Sequence, residues 1–446
     1  MQGFTSTSEY AVVVPVSAPK TSTSGESSNG EGHVKQSASW FTVGLLQINS
    51  VIGVGLLAIG GAFAQLGWVL GLVFSFISVA MCVYLSLLQW QAQNAFPEGD
   101  SQRKMAQLIF KSRLFSWFVA FMLYSLLFFL CGGYLLAIEK TLKATFHGYA
   151  DLCNYTWGFI TLAILVPGLF IRNLSGLKHL VRLSCLFICS AVALIVGYTV
   201  YQMATGVKPE TYGENVAFAE LTWESFFGGL ASITLAYCGT FVFLEMSSEM
   251  SVRSDFPKSF YLSAPLGLLL FLVVSVVSYL YQGSKAGTLL DVISVDTPVY
   301  NIANCLLFLY MLVVYYVKGI VVARALHKEI WPESADLKGF LPALQHVFCG
   351  TLLLVFSFLT ATAVPVFELI VSFLGSMFVP FLGYQLPIIF AYGARRHTGT
   401  PISKLEYVLW GGIFLLFVSL EIMGTAMNIK KLASFYASGH APFQCS

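Results

Sequence analysis

Asn49-Ser50-Val51-Ile52-Gly53-Val54-Gly55, with Gly60-Gly61 just beyond, interrupts an apolar run that extends over residues 40–66. A run of that length crosses a bilayer as a helix, for which about 20 apolar residues suffice. Glycine weakens a helix and lets backbone approach a partner closely. At bilayer depth, unwound backbone persists only where it lines a cavity or is buried in protein. A second interruption of the same kind, Tyr237-Cys238-Gly239-Thr240, falls in the run 222–245. How these two stretches are read decides the fold.

Eleven apolar runs of spanning length lie near residues 40–66, 68–92, 114–138, 155–171, 183–204, 222–245, 260–282, 299–323, 341–363, 365–393 and 405–428. They are numbered spans 1 to 11. Spans 1 and 2 are separated only by the turn Leu66-Gly67, and spans 9 and 10 by Val364-Pro365. Of the 446 residues, 57% are hydrophobic and 10% charged, whereas soluble domains are about a quarter charged. A water-soluble chain could not bury so much apolar surface, so the lipid bilayer is the main solvent and partner. The net charge of +2 leaves no electrostatic footprint for nucleic acid. Cys82, Cys131, Cys185, Cys189, Cys238, Cys305 and Cys349 fall inside apolar runs. They read as small packing residues, not as a disulfide framework or a metal site.

The expectation is an all-α polytopic membrane protein of about 11 transmembrane helices. Residues 1–38, rich in Ser, Thr, Gly and Pro, read as a disordered cytoplasmic tail without a cleavable signal. Spans 1 to 5 occupy 39–204, an extracytoplasmic loop 205–221, spans 6 to 10 residues 222–393, span 11 with its preceding loop 394–430, and a short tail 431–446. With the N-terminus cytoplasmic, 17 of the 24 Lys and Arg fall inside and six outside, while Lys318 stays within span 8. That is the positive-inside bias, and it places the C-terminus outside. The sequon Asn154-Tyr155-Thr156 then lands in an outside loop and is a glycosylation candidate; a second, Asn173-Leu174-Ser175, lands inside and is expected to be silent. Plasma and vacuole-type membranes both fit.

No catalytic constellation stands out. No histidines pair at metal-ligand spacing, and ionisable groups do not converge at one depth. The expectation is therefore not an enzyme, with no metal and no cofactor. The two interruptions carry the chemistry instead. Half-helix N-termini present free N–H groups and positive dipole ends to a carboxylate, and unpaired carbonyls receive an ammonium or a cation. A zwitterion fits such a site. Close helix packing through small residues is the competing reading of any one glycine pair. Spans 1 and 6, however, each open a set of five, and the topology makes them antiparallel. Breaks at matching positions of inverted halves point to a transporter binding site. The substrate-binding candidates are Ile52, Gly53, Val54, Gly55, Tyr237, Cys238, Gly239 and Thr240, with Tyr134 of span 3 a further candidate against a packing or interfacial role.

These residues also carry a family resemblance. Asn49…Ile52-Gly53-Val54-Gly55-Leu56-Leu57-Ala58…Gln65-Leu66-Gly67-Trp68 resembles the first-helix signature of the amino acid/auxin permease family. Ala236-Tyr237-Cys238-Gly239…Glu245 with Phe256-Pro257-Lys258 resembles that family's sixth helix, and Val364-Pro365-Val366-Phe367…Leu386-Pro387 its tenth. Family members usually carry Leu-Pro where this chain has Ile59-Gly60, a change expected to soften the outer half of span 1. The resemblance covers almost everything after residue 38. It implies a LeuT-like fold, with 5+5 inverted repeats plus span 11, and transport of amino acids. Glu245 matches the family's acidic position and is a gating candidate, although a plain interfacial carboxylate reads equally well.

Lys318 sits well within span 8. A mid-membrane lysine costs about 2.5–3.5 kcal/mol on insertion scales and is a functional hypothesis by default. Snorkelling is the alternative, since Arg324 lies six residues on, roughly 9 Å at 1.5 Å per residue. In LeuT-like sodium symporters this helix supplies hydroxyls to a sodium ion, yet residues 301–323 hold no Ser or Thr. The expectation is that the Lys318 ammonium replaces that ion, so that transport is sodium-independent with protons as coupling ion. A sodium-coupled symporter and an amino acid-sensing receptor on the same fold are the alternatives. A neutral amino acid is the expected substrate, because no acidic residue sits at either break.

Overall fold

The computed structural model describes residues 39–149, 152–171, 178–209, 212–289, 292–295, 297–334, 337, 339–364 and 366–438. The N-terminal tail, the Asn173 sequon and Pro365 of the span 10 motif lie outside them. Among the described residues the chain is all-α. In order come α1 (Trp40–Ala95), α2 (Gln102–Phe110), α3 (Arg113–Thr145), α4 (Asn154–Leu165), α5 (Lys178–Ala204), α6 (Trp223–Tyr237) and α7 (Phe243–Ser248). Then follow α8 (Phe256–Gln282), α9 (Pro298–Ile330), α10 (Phe340–Ala363), α11 (Phe367–Met377), α12 (Leu386–Thr398), α13 (Lys404–Ser419) and α14 (Thr425–Ala437).

Local sequence sets where these helices start and stop. Ser39, Ser101, Ser112, Thr222, Thr297 and Ser403 each cap a helix with a side-chain oxygen, satisfying a donor that the first turn leaves unpaired. Arg395, Arg396 and His397 fill the last turn of α12, and Gly399 ends it in the left-handed conformation.

Eight helices among the described residues are long and apolar enough to cross a membrane, or nine if the pair bent by 45° around Pro380 is one span. The expected eleven are not reached by that criterion, for two physical reasons. The first half of span 1, Trp40–Gly53, and span 4, Tyr155–Phe170, are short apolar helices. Spans 1 and 2 also run together as a 41-residue helix, Gly55–Ala95. At 1.5 Å per residue that is roughly 60 Å, twice the hydrocarbon thickness. Gly67 divides it, with φ 78° and ψ 179°. There Trp68 and Val69 donate to the carbonyls of Val216 and Ala217, and Leu66 accepts from Ala219. The loop before α6 thus supplies the bonds that the helix gives up.

Burial separates centre from periphery. The most apolar window of Trp223–Ser248 is 100% buried within the protein, and that of Lys404–Ala437 only 28%. Span 6 is therefore a central element and span 11 a peripheral one, whose Leu405, Val408 and Leu415 face outward. Cysteine usage differs from expectation at one place. Cys153 is disulfide-bonded, while the seven cysteines inside apolar runs are free; only a cysteine outside the hydrocarbon core meets an oxidising compartment.

Candidate functional site

Both interruptions are real breaks. Within α1, Gly53 leaves the helical region at φ −10°, ψ −130°. In span 6, α6 ends at Tyr237, Cys238 is extended at φ −87°, ψ 119°, and a single 3-10 turn, Thr240–Val242, leads into α7. The donors of the second break return only in part to backbone oxygens: Cys238 N–H donates to the Leu235 carbonyl at 3.3 Å and Val242 N–H to that of Gly239 at 3.2 Å. The N–H of Gly239 faces the Cys82 sulfur, and that of Thr240 the Cys238 sulfur. Thr240 donates its hydroxyl to the Gly383 carbonyl at 2.8 Å, which pins the break to the π-helical turn Pro380–Gln385 of span 10.

Lys318 bridges the two breaks. Its Nζ donates to Ser50 Oγ at 3.1 Å, three residues before Gly53, and stands 5.7 Å from the centre of the Phe241 ring in the second break. The residue is 4% exposed, so it does not snorkel to the interface. On the other side of the first break stands Tyr134 of α3, 1% exposed. Its hydroxyl occupies the space that a Cβ on Gly53 would need. Tyr310, two turns before Lys318 on α9, faces Tyr134 and is fully buried, with a hydroxyl that has no hydrogen-bond partner among the described residues. Four elements therefore meet at one depth around Gly53.

The remaining candidates take different places. Ile52 is fully buried beside the break. Val54 lies in the backbone of the break, and its side chain is outside the described residues. Gly55 is a packing glycine, since a Cβ there would lie 2.5 Å from the Ala236 Cα. Gly60 remains helical and admits the Gly287 carbonyl, 2.8 Å from its would-be Cβ; the softening expected there is a close contact, not a second break. The Tyr237 ring packs on Phe271 with centroids 4.6 Å apart. Tyr237 also lines a cleft with Gln47, Ile48, Val51, Cys82 and Ser263. Glu245 makes no ion pair among the described residues. Arg103, a cationic candidate for it, pairs with Glu329 and stacks on Trp117 instead.

Two amide side chains hold the half-helix before Gly53. Gln47 donates to Ser259 Oγ at 2.8 Å and accepts from Ser263 Oγ at 2.7 Å, both on α8. Asn49 accepts from Ser184 Oγ at 2.7 Å and donates to Cys185 Sγ at 2.9 Å, both on α5. Sequence reading passed over Ser50, Phe241 and Tyr310. A lone hydroxyl and two aromatics inside apolar runs give no periodic signal; only the presence of Lys318 asks what its ammonium bonds.

A bundle whose first and sixth spans break at one depth, with a third span and a buried lysine closing on the breaks, defines a membrane transporter of the broken-helix kind. The fold is shared with the crystal structure of MhsT in complex with L-phenylalanine, at TM-score 0.60 and 14% identity, over 90% of this chain and 100% of that one. Residues 36–430 match the family described as transmembrane amino acid transporter protein. The chain belongs to that family and is an integral membrane amino acid transporter. Similar proteins include the N amino acid transport system protein of Neurospora crassa, 22% identical over 93% of this chain and 90% of that one. Lysine histidine transporter-like 1 of Arabidopsis thaliana is 26% identical over 63% and 64%.

Proposed function

We propose that this protein is a secondary active transporter of neutral amino acids, independent of sodium and driven by protons. The observation that carries this reading is the Lys318 ammonium on Ser50 and facing Phe241, a positive charge beside both breaks. A cation bound at the same place would be repelled by it. A buried lysine also sheds its proton more readily than an exposed one, which suits a group that cycles protons. The substrate carboxylate meets the backbone N–H groups at Gly53, Val54 and Gly55. Its ammonium meets carbonyls near Ile52 and Tyr237–Gly239. No carboxylate among the residues that meet at the break would hold a cationic side chain, which favours neutral substrates.

Alternating access follows from the clamps on the first half-helix. The bonds of Gln47 and Asn49 are exchangeable with water, so the half-helix can swing while the breaks act as hinges. The positive-inside bias supports a cytoplasmic N-terminus and an extracytoplasmic C-terminus, and the Cys153 disulfide fits the outer side. Plasma and vacuolar membranes both accommodate this topology.

The test is uptake of radiolabelled alanine, leucine and phenylalanine into proteoliposomes. Replacing sodium by choline leaves the rate unchanged, and collapsing an inward pH gradient abolishes accumulation. Accumulation that requires sodium sinks the reading and favours a sodium symporter. Tight binding of all three without flux favours a receptor.

A further inference from the structure

The α7 side of the second break is surrounded by buried polar atoms without partners. Gln89, Gln93, Gln102 and Ser247 are each at most 2% exposed. Among the described residues, both side-chain polar atoms of Gln89, Oε1 of Gln93 and of Gln102, Oγ of Ser247 and Oε2 of Glu245 find no hydrogen-bond partner. Contacts gather them on one stretch of chain. Gln93 donates to the carbonyls of Leu244 at 3.2 Å and Gly99 at 3.1 Å. Gln102 donates to Thr240 O at 3.4 Å, and its backbone N–H faces the Glu245 carboxylate. Gln89 lies one helical turn before Gln93, between it and Cys82, whose sulfur faces Gly239. Each buried polar atom left unpaired costs about 1–3 kcal/mol. A group of them on residues 239–247 is tolerated only where water fills the space between them. Because the amide nitrogens of Gln93 and Gln102 are anchored on carbonyls, the oxygens left over form an acceptor lining, suited to water that carries a proton.

Glu245 is the one carboxylate of this lining. It lies four residues, about one helical turn, beyond Phe241, whose ring faces the Lys318 ammonium. The other charged and titratable groups around it are Asp100 in the turn before α2, Glu249 just past α7, and Tyr124 of α3, which also feels Arg103 of α2. Arg103 is held by Glu329, so no cation closes on Glu245 from that side.

We propose that Glu245 is the second protonation site of the coupling machinery, exchanging the proton of Lys318 with the cytoplasm through a hydrated chamber lined by Gln89, Gln93 and Gln102. The ammonium gives its proton to the carboxylate, leaving a neutral amine and a carboxylic acid with net charge unchanged. The acid then releases the proton to chamber water, which carries it out as hydronium, and the amine takes its next proton from the outer side. This inference rests on the proton-coupled reading above.

The experiment uses the full chain in proteoliposomes, with a trapped pH dye reporting proton entry and radiolabelled alanine reporting flux. E245Q is expected to lose gradient-driven accumulation by ~tenfold or more relative to its loss of exchange against preloaded alanine, because only net cycling needs the released proton. Gln89→Leu with Gln93→Leu, which dries the chamber and leaves the carboxylate in place, is expected to lower proton entry per alanine in the same direction. E245Q with native proton entry per alanine overturns the inference while the proton-coupled reading stands. A native protein that moves alanine on sodium with no proton entry overturns both. If E245Q does not reach the vesicles folded, the glutamine pair decides: unchanged proton entry per alanine overturns the proposal.

Discussion

Lys318 shows why a single side chain can set the energetics of a site. Among the described residues its one direct hydrogen bond is to Ser50, and charge-assisted bonds of this kind are worth about 1.5–3 kcal/mol when buried. Lys318→Met keeps the apolar stem and removes the charge. Uptake is expected to fall roughly 10- to 100-fold at normal expression, the factor that this energy implies; a variant with native uptake would contradict the role given to the ammonium. Gly53 permits a sharper test through Tyr134. A Cβ at Gly53 meets the Tyr134 hydroxyl, so Gly53→Ala is expected to cost about 1–3 kcal/mol of overpacking, and adding Tyr134→Phe to recover part of the lost uptake. A double variant no better than the single one would show that the two groups are not in contact during transport. Gly55 offers no such test: a bulky residue there strikes Ala236 and damages helix packing whether or not the site binds a substrate.

Among the elements, the half-helix Trp40–Gly53 is the one that the proposed alternating access moves. It is joined to α5 and α8 by the side chains of Asn49 and Gln47 as well as by apolar packing. Gln47→Leu removes both bonds to α8 and is expected to favour the conformation in which the half-helix has swung out. The readout is Cys82, buried in the cleft beside it. With the exposed Cys189 replaced by Ser, maleimide labelling of Cys82 should speed up about tenfold for a shift of ~1.4 kcal/mol. Labelling at the native rate would mean that apolar packing alone holds the half-helix. The two breaks were legible in sequence because glycine-bearing interruptions stand at matching positions of spans 1 and 6. Which glycine breaks the helix was not legible. Gly53, Gly55, Gly60 and Gly61 look alike in one dimension. Tyr134, Ala236, Gly287 and Glu368 decide their roles only once packed against them.

For the whole molecule, hydropathy and the positive-inside count gave an all-α polytopic membrane protein, and the motifs of spans 1, 6 and 10 gave the family. They could not give the number of spans, because the criterion of one long helix per crossing fails wherever a helix is broken at mid-depth or two crossings share a glycine turn, as at Gly53 and Gly67. The polar lining along α7 was equally hidden. Gln89 and Gln93 sit at the end of the run 68–92 and Gln102 at the start of α2, where sequence alone suggests interfacial residues, and only packing shows them to be buried. The fold thus brings Lys318 and the two backbone breaks together and sets the half-buried Glu245 four residues beyond Phe241.

The most direct test of that arrangement is a structure of the native protein with a transported neutral amino acid bound. The account predicts the α-carboxylate within about 3 Å of backbone N–H groups at residues 53–55, a hydrogen-bond distance, with the ammonium on carbonyls of Ile52 or Tyr237–Gly239. Lys318 should still be on Ser50 or turned toward Glu245, with no ion beside it. An amino acid seated away from both breaks, or a sodium ion in the place of the Lys318 ammonium, would contradict it.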